Sequence, residues 1–386
     1  MRRLLVLLLI VVVVVIFGFS LISVSGGSDQ VNASALLANL GGDTSGYSRA
    51  IGARDWQFPQ DFGAHPDFQT EWWYYTGNVQ ADSGERFGYQ FTIFRRGISP
   101  SEADTASEWR TNQLYMVHFA VSDVAGNQFF HDERFSRSGA GLAGAEISPN
   151  YRVWLGNWQV IGTNASDTQT QITAATDQVA VDFTLDQSKP PALQGDHGLS
   201  AKSSEPGNAS YYYSLTDLKT SGTITIGGKA YRISGASWMD HEFGTSALGG
   251  DAKGWDWFGL QLDDGRQLML GQIRQTDGGK DPYFGGLLVN ADGSTQFLPS
   301  ASFTIDSTGT WTSPHTHASY PAGWNVSVNV GENNPLKLTI TPQIADQELN
   351  GNGIAYWEGT VKVSGDATGY GYTELTGYAS SMMGRF

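Results

Sequence analysis

The chain contains no cysteine among its 386 residues. Disulfide bonds, thiol nucleophiles and thiolate metal sites are therefore excluded, and cysteine usage carries no information about the compartment. A lipid attached to an N-terminal cysteine is excluded for the same reason. Stability and any chemistry must come from other side chains.

Basic residues are also scarce. Only 23 Lys and Arg stand against 38 Asp and Glu, which gives a formal net charge of -15. Such a chain repels phosphate backbones and anionic membrane surfaces unless a local basic patch intervenes, and no such patch is visible in the sequence. We therefore expect no nucleic-acid partner, and the sequence identifies no protein partner.

Several common catalytic signatures are missing as well. The sequence has no Gly-x-Ser-x-Gly elbow, no phosphate-binding glycine-rich loop and no His-Glu-x-x-His motif. A metal site would gather Asp240, His241 and Glu242 with His315 and His317, but this spacing matches none of the usual zinc or iron motifs. We therefore predict neither a metal nor a cofactor.

The long apolar run of the chain lies at its N-terminus, where two arginines precede an uncharged stretch from Leu4 to Val24. This length reaches that of a membrane span, whereas a cleavable signal usually has a shorter apolar core. Residues 1–25 are therefore predicted to be a hydrophobic helix that either anchors the protein or is removed as a signal. Residues 26–52 are predicted to be a linker. Both alternatives place the rest of the chain outside the cytoplasm.

From Trp56 onward the sequence shows the pattern of antiparallel strands. No stretch after the leader keeps a helical period, whereas alternating runs separated by turn residues recur. Hairpins are predicted across Ala81–Gly84, Asp264-Gly265 and Asp292-Gly293. The Pro-, Gly- and Ser-rich segment Asp186–Ser214 is predicted to be a functional loop. The fold is thus predicted to be all-β, and the strand pattern does not decide between a sandwich and a barrel.

The run Asp240-His241-Glu242 is the first candidate for chemistry. Strand alternation places Asp240 and Glu242 on one face and His241 on the other. Neighbouring carboxyl groups in an apolar setting raise each other's pKa, so that one can act as a general acid near neutral pH. The alternative is structural: the acids accept backbone hydrogen bonds or pair with an arginine such as Arg232 or Arg274, and His241 belongs to the core.

Aromatic residues accompany acids elsewhere in the chain. Trp255 and Trp257 share a strand face opposite Asp256, where two indoles could line an apolar pocket or stabilise a cation. Further acids with aromatic neighbours are Glu71 beside Trp73, Glu358 beside Tyr356 and Trp357, and Glu374 between Tyr372 and Thr376. Strand packing explains each of these when it is taken singly. His118 and His131 lie in strand-like runs, where either could face a cavity, and each is expected to be structural.

Together these segments resemble a known family. The resemblance rests on the stretches EWWYYTG, SWMDHEFGTSAL, GWDWFGLQLDDGRQLMLGQIR, YWEGTVKVSG and GYTELTGY. From Trp56 to Phe386 the chain is similar to the AttH and carotenoid 1,2-hydratase (CrtC-like) proteins. The resemblance implies two tandem lipocalin-like antiparallel β-barrel domains, expected at 53–240 and 241–386. Barrels offer natural cavities for apolar ligands.

The resemblance also implies a chemistry. Its hydratase branch adds water to a terminal isoprenoid double bond of an acyclic carotenoid, which requires an acid, a shielded cation and a delivered water. The Asp-His-x-x-Gly pattern of the family matches at Asp240, His241 and Gly244. The hydratase branch tends to continue with Asn-Trp, whereas this chain has Glu242-Phe243, so it is closer to the secreted AttH-like branch.

We therefore expect an extracytoplasmic protein that binds an apolar molecule, with isoprenoids as candidates, and acts as a cofactor-free hydratase or isomerase. Asp240 or Glu242 is the expected proton donor, and His241 is expected to tune that acid or to relay protons. The residues expected to bind the substrate are Glu71, Trp73, Trp255, Trp257, Tyr356 and Glu358. Two alternatives stay open: a non-catalytic lipid or pigment carrier, and a secreted glycan-acting hydrolase with two carboxyl groups across an open cleft.

Overall fold

The structure is a computed structural model that describes residues 44–101, 106–245, 248–331, 334–351 and 354–382. The hydrophobic helix predicted at 1–25 lies outside these residues. Among those described, no helix has the length and apolar character needed to cross a membrane. Their regular structure consists of strands and three single-turn 3-10 helices, Gln60–Phe62, Gly139–Gly141 and Ser300–Ser302. The all-β prediction is confirmed.

Thirteen strands form the first sheet, in the order β4-β3-β2-β1-β13-β12-β9-β8-β7-β6-β5, with β10 and β11 also paired to β12. Their bounds are β1 (Thr70–Ala81), β2 (Arg86–Gly97), β3 (Gln113–Asp123), β4 (Gln128–Arg137), β5 (Ala143–Glu146), β6 (Arg152–Leu155), β7 (Trp158–Gly162), β8 (Gln169–Ala175), β9 (Val179–Gln187), β10 (Ala192–Leu193), β11 (Leu199–Ala201), β12 (Ala209–Ile226) and β13 (Lys229–Gly244). The ends of this order approach each other, because the Arg134 guanidinium of β4 lies 3.7 Å from the centre of the Trp158 ring of β7. The sheet is a nearly closed antiparallel barrel.

Ten strands form the second sheet, in the order β17-β16-β15-β14-β25-β24-β22-β21-β18, with β23 paired to β24. Their bounds are β14 (Ala252–Leu262), β15 (Gln267–Gln275), β16 (Gly286–Val289), β17 (Thr295–Leu298), β18 (Phe303–Ser307), β21 (Trp324–Val328), β22 (Leu336–Pro342), β23 (Glu348–Leu349), β24 (Tyr356–Gly365) and β25 (Gly369–Leu375), while β19 (Thr310–Thr312) and β20 (Ser319–Pro321) form a separate pair. The helix Ser300–Ser302 joins the two ends of the order. This second nearly closed barrel agrees with the expected tandem lipocalin-like architecture.

The three predicted hairpins are present. Residues 82–85 join β1 to β2, and the Asp-Gly pairs join β14 to β15 and β16 to β17. Gly265 and Gly293 both have φ of 86°, a left-handed conformation that glycine adopts without a steric penalty. The local turn chemistry therefore determines these connections.

Apolar side chains fill the interiors of both barrels. In the first, one cluster includes the fully buried Trp73 and Trp158. In the second, Trp324 and Trp357 lie at the centre of another cluster. These residues occupy alternate positions of their strands, which point toward the barrel axis. Each strand of a barrel therefore packs one of its two faces into the interior of that barrel.

The opposite faces of several strands are buried as well, because the two barrels pack against each other. Tyr74 and Tyr212 from the first barrel form a cluster with Trp257 and Tyr372 from the second. The contact involves the outward faces of β1 and β12 and those of β14 and β25. Strands near this contact are consequently buried on both faces, and the candidate site lies here.

The segment between β9 and β12, predicted to be a functional loop, crosses to the second barrel. It contains the short strands β10 and β11, which pair with β12. Lys189 Nζ donates hydrogen bonds of 2.7 Å to the carbonyl oxygens of Gly265 and Asn290 and to Gln267 Oε1. The segment therefore links the two barrels.

Replacing Lys189 with methionine is expected to weaken this link. The substitution removes a cation that satisfies three acceptors, so we expect the free energy of unfolding to fall by about 1–3 kcal/mol. Cleavage between residues 188 and 208 by a protease should become faster. Lys219→Met, which removes an exposed lysine of β12, is the control. Equal unfolding free energies for the two variants in urea would contradict the linking role of Lys189.

Candidate active site

A cavity lies where the outward faces of the two barrels meet. Its volume, counted for the centres of water molecules, is about 120 Å³. The first barrel contributes side chains of β1, β2, β3, β12 and β13, and the second contributes side chains of β14, β15, β24 and β25. Trp72, Phe94 and Trp255 line the cavity and are only half-buried. The cavity is therefore open to solvent and needs both barrels to exist.

One wall of the cavity carries a row of polar side chains across the first sheet. Side chains opposite each other on neighbouring strands point to the same face. Strand register aligns, from β12 to β4, Ser214, Asp240, Tyr74, Thr92, His118 and Glu133. The next row is mostly apolar, since Glu242 is followed by Trp72, Phe94 and Met116. The first barrel therefore presents a polar strip beside an apolar one.

The second barrel presents a matching row. Register aligns Trp257 of β14 with Glu374 of β25, and Glu374 with Glu358 of β24. This row meets the polar strip, because the Tyr74 hydroxyl donates to Glu358 Oε1. Acids from both barrels thus lie at one cavity.

Asp240 is buried in the cavity wall and accepts three hydrogen bonds. Ser214 Oγ and Trp238 Nε1 donate to Oδ1 at 2.5 and 2.6 Å, and the Tyr212 hydroxyl donates to Oδ2 at 2.6 Å. Burial raises the pKa of Asp240 to about 7, although these hydrogen bonds oppose the shift. At neutral pH the group therefore exists as both acid and carboxylate.

Two further acids come from the second barrel. Burial raises the pKa of Glu374 to about 8, against the effect of its hydrogen bond with Trp255. Burial, followed by the neighbouring charge of Glu374, also raises the pKa of the fully buried Glu358 well above its usual range. Glu374 is therefore mostly protonated at neutral pH, and burial favours the neutral form of Glu358 as well. Glu374 is the one of the two that lines the cavity.

Glu242 lies on the same wall and pairs with a lysine. Lys202 Nζ lies 2.8 Å from Glu242 Oε1, and the Ser210 hydroxyl donates to the same oxygen. Lys202 belongs to the segment between β9 and β12, and its ammonium lies 4.3 Å from the centre of the Phe284 ring. The segment predicted to be functional therefore contributes a cation to the cavity wall.

Trp255 and Trp257, predicted to share a face, both line the cavity. The Trp257 ring lies perpendicular to that of Tyr74, with ring centres 5.2 Å apart. Asp256 points the other way and accepts a hydrogen bond of 2.9 Å from Arg274 Nε. Alternation along β14 is thus as expected, and the indoles surround the acids with apolar surface.

Four of the predicted site residues do not line the cavity. Glu358 is fully buried and accepts a hydrogen bond from the Tyr74 hydroxyl, and the other three lie inside the first barrel. Glu71, Trp73 and His241 point into the first barrel, on the side of their strands away from the cavity. Glu71 Oε1 lies 2.8 Å from His241 Nε2 and 2.8 Å from His65 Nδ1, and Arg95 Nε donates to Glu71 Oε2 at 2.7 Å. The Trp73 ring stacks on His241. The structure therefore separates His241 from Asp240 and Glu242 and brings Tyr356 and both indoles together with them.

The cluster of His65, Glu71 and His241 has three ligand atoms close enough to hold a metal ion. Its charges favour another explanation. Burial opposes ionisation of Glu71, but the Arg95 charge and hydrogen bonds from both histidines hold its pKa well below the usual range. A metal ion would have to compete with the guanidinium for the same carboxylate. We interpret the cluster as a buried salt-bridge network.

Sequence reasoning missed several residues of the cavity. His118, expected to be structural, lines it together with Tyr74 and Tyr212. Glu374 has the same sequence pattern, an acid beside aromatic residues, as the structural acids, so the sequence does not distinguish it from them. A register alignment of β1 with β13 would have placed Tyr74 beside Asp240. On the second barrel, no comparable local pattern in the sequence marks the residues that face the cavity.

Comparisons with known proteins agree with this architecture. A model of the AttH-like family matches residues 49–378. The crystal structure of an AttH protein from Nitrosomonas europaea has a TM-score of 0.76 and 34% identity, covering 86% of this chain and 99% of its own. Kievitone hydratase from Nectria haematococca shares the fold at a TM-score of 0.65 and 16% identity, covering 88% and 98%. No protein of curated function matches the sequence significantly.

Proposed function

The chain belongs to the AttH-like family, and from this premise we propose that it binds an apolar molecule between its barrels and transfers a proton to it, as a cofactor-free hydratase or isomerase. Its fold is hydratase-like, since kievitone hydratase shares it. The observation that carries the proposal is a carboxyl group, Glu374, in a cavity lined by aromatic rings, where burial raises its pKa.

Glu374 is the proton donor in this proposal. General acids work best when their pKa lies near the working pH, because the protonated form is then populated and still gives up its proton. The pKa of about 8 meets this condition. The step breaks the O–H bond of Glu374 and forms a C–H bond at a double bond of the ligand, which leaves a carbocation and a carboxylate.

The aromatic wall and Asp240 stabilise that cation. Indole and phenol faces attract positive charge, and the rings of Trp257 and Tyr74 meet at the cavity. The carboxylate form of Asp240 adds a negative charge within the same wall. As a base, Asp240 could remove a proton from a neighbouring carbon, which would complete an isomerisation.

The reaction is proposed to occur outside the cytoplasm. This part of the proposal is supported by the sequence of residues 1–25, in which arginines precede a long apolar run. A protein tethered by that run would meet its apolar ligand at a membrane surface. The glycan-acting alternative is less consistent with a cavity lined by aromatic side chains between two barrels.

Isotopically labelled water tests this function. The probes are geraniol and detergent-dispersed lycopene, both of which end in an isoprenoid double bond. In deuterium oxide the protein should introduce deuterium into a probe, and in oxygen-18 water a hydratase should yield a labelled alcohol, both followed by mass spectrometry. A carrier would return both probes unlabelled, and that result would contradict the enzymatic proposal.

A further inference from the structure

A second hydrogen-bonded chain reaches the cavity beside the acids. His118 Nδ1 lies 2.7 Å from the Tyr356 hydroxyl, and His118 Nε2 lies 3.0 Å from Glu133 Oε2. Tyr356 and His118 both line the cavity. The Glu133 side chain is 11% exposed, so it forms the outer end of the chain. This arrangement joins both barrels, because Tyr356 belongs to β24 and the others to β3 and β4.

The neighbours of the phenol oxygen determine where its proton points. Gln90 Nε2 donates to this oxygen at 3.0 Å, so the phenol hydrogen is free to be donated to His118. His118 Nδ1 must then be unprotonated, and Nε2–H donates to Glu133. An imidazole oriented by a carboxylate and facing a hydroxyl is the arrangement by which proteins turn histidine into a general base.

Tyr356 itself stays protonated in this chain. Burial raises the pKa of its hydroxyl well above the usual range, and the charges of Glu358 and Glu374 add to this effect once those groups ionise. A phenolate is therefore not available as a base. The hydroxyl can instead accept one proton while it passes its own to His118.

This hydroxyl and the proton donor come from the same face of two neighbouring strands. Glu358 and Glu374 are opposite each other in the β24–β25 pair, and Tyr356 precedes Glu358 by two residues on the same face. Glu374 and Tyr356 are thus diagonal neighbours, whose backbone positions are about 7–8 Å apart. Both side chains line the cavity, so one ligand there can contact the two groups.

We propose that Tyr356, backed by His118 and Glu133, activates the water that adds to the ligand cation, so that the site performs hydration rather than isomerisation. The inference rests on the proposed function. A C–O bond forms between the water oxygen and the cationic carbon, and one O–H bond of the water breaks. Its proton goes to the Tyr356 oxygen while the phenol proton moves to His118 Nδ1.

The remaining steps restore the resting state. The imidazolium formed on His118 is paired with the Glu133 carboxylate, and its proton returns to solvent. Glu374, which became a carboxylate in the first step, takes a proton back from solvent. The net reaction consumes one alkene and one water and yields one alcohol, so no oxidant, reductant or other reactant is needed.

Tyr356→Phe separates water addition from protonation. With geraniol and lycopene as probes, the variant should lose oxygen-18 incorporation by a factor on the order of 100 or more, since that is the usual contribution of a positioned base. Deuterium exchange into the unreacted probe should continue, because Glu374 and Asp240 are intact. His118→Gln should behave in the same way. Tyr75→Phe removes another buried hydroxyl, bonded to Tyr151 inside the first barrel, and should match the wild type.

Two outcomes overturn the relay. The first is a Tyr356→Phe protein that adds labelled water at the wild-type rate. The second uses no probe: nitrogen-15 NMR of labelled histidine should find His118 neutral with its proton on Nε2, and a proton on Nδ1 contradicts the proposed direction. If the wild type neither exchanges deuterium nor adds water, the proposed function fails, and the NMR result still decides whether the relay exists.

Discussion

Replacing Glu374 with glutamine is expected to lower turnover by a factor of about 100 to 10,000, the usual contribution of a positioned general acid. Glutamine keeps the shape of the side chain and has no acidic proton to transfer to carbon. Because protonation precedes every later step, deuterium exchange and oxygen-18 addition should both fall. This pattern differs from that of Tyr356→Phe, in which only water addition falls.

The pH dependence gives an independent check on the same residue. Wild-type activity should decrease as the pH rises through about 8, the pKa of Glu374, because the protonated fraction disappears. Folding opposes ionisation of this group, so its contribution to stability declines as the pH rises from the unfolded pKa toward 8. Glu374→Gln should therefore be at least as stable as the wild type above pH 8.

Glu205→Gln, which alters an exposed glutamate, is the control for the chemical change. It should leave activity and its pH profile unchanged. A Glu374→Gln protein with wild-type deuterium exchange would show that another group protonates the ligand, and Asp240 would then be the next candidate.

Replacing Arg95 with methionine is expected to destabilise the protein by about 3–5 kcal/mol, the range observed when one partner of a buried ion pair is removed. The Arg95 side chain is 1% exposed. Its guanidinium donates to Glu71, to Gln113 at 2.7 Å, and to the carbonyl oxygens of His65 and Phe68 at 2.9 and 2.7 Å. Methionine fills part of the volume and leaves the Glu71 carboxylate buried without its main counter-charge. Denaturation in urea measures the loss.

The control for this experiment is Arg232→Met, which breaks an exposed pair with Asp82. Exposed pairs contribute about 0–1 kcal/mol, so this variant should unfold nearly as the wild type does. A similar unfolding free energy for the two variants would contradict a buried network around Glu71.

The network around Glu71 also predicts how wild-type stability depends on pH. The folded pKa of Glu71 lies well below the unfolded value. Its stabilising contribution is therefore complete above the unfolded carboxyl pKa of about 4.3 and is lost as the pH falls toward the folded pKa. Arg95→Met should reduce this acid sensitivity.

These experiments probe the interior of the first barrel and the cavity outside it, which lie on opposite faces of β1. On β1, Glu71 and Trp73 point into the barrel, whereas Trp72 and Tyr74 point to the cavity. Variants on the inner face should affect stability, and those on the outer face should affect turnover. Activity variants that retain their unfolding free energy would support this division.

The sequence by itself determined the features that depend on local geometry. Strand alternation placed Asp240 and Glu242 on one face and His241 on the other, and the structure agrees. Turn chemistry located the three hairpins, because the Asp-Gly pairs of two of them and Gly84 of the third adopt the backbone conformations that tight connections need. The motifs also led to the AttH-like family, which the comparison confirms.

Only the tertiary structure decided which face of each strand belongs to the cavity. An acid beside an aromatic residue describes Glu71 with Trp73 as well as Glu374 with its neighbours, and the first pair is part of the barrel core. Alternation separates two faces, but here both are buried, because the second barrel covers the outer face of the first. Tyr356 and Glu374 reach Asp240 only through that packing, across more than a hundred residues of chain, and no local pattern encodes such a contact.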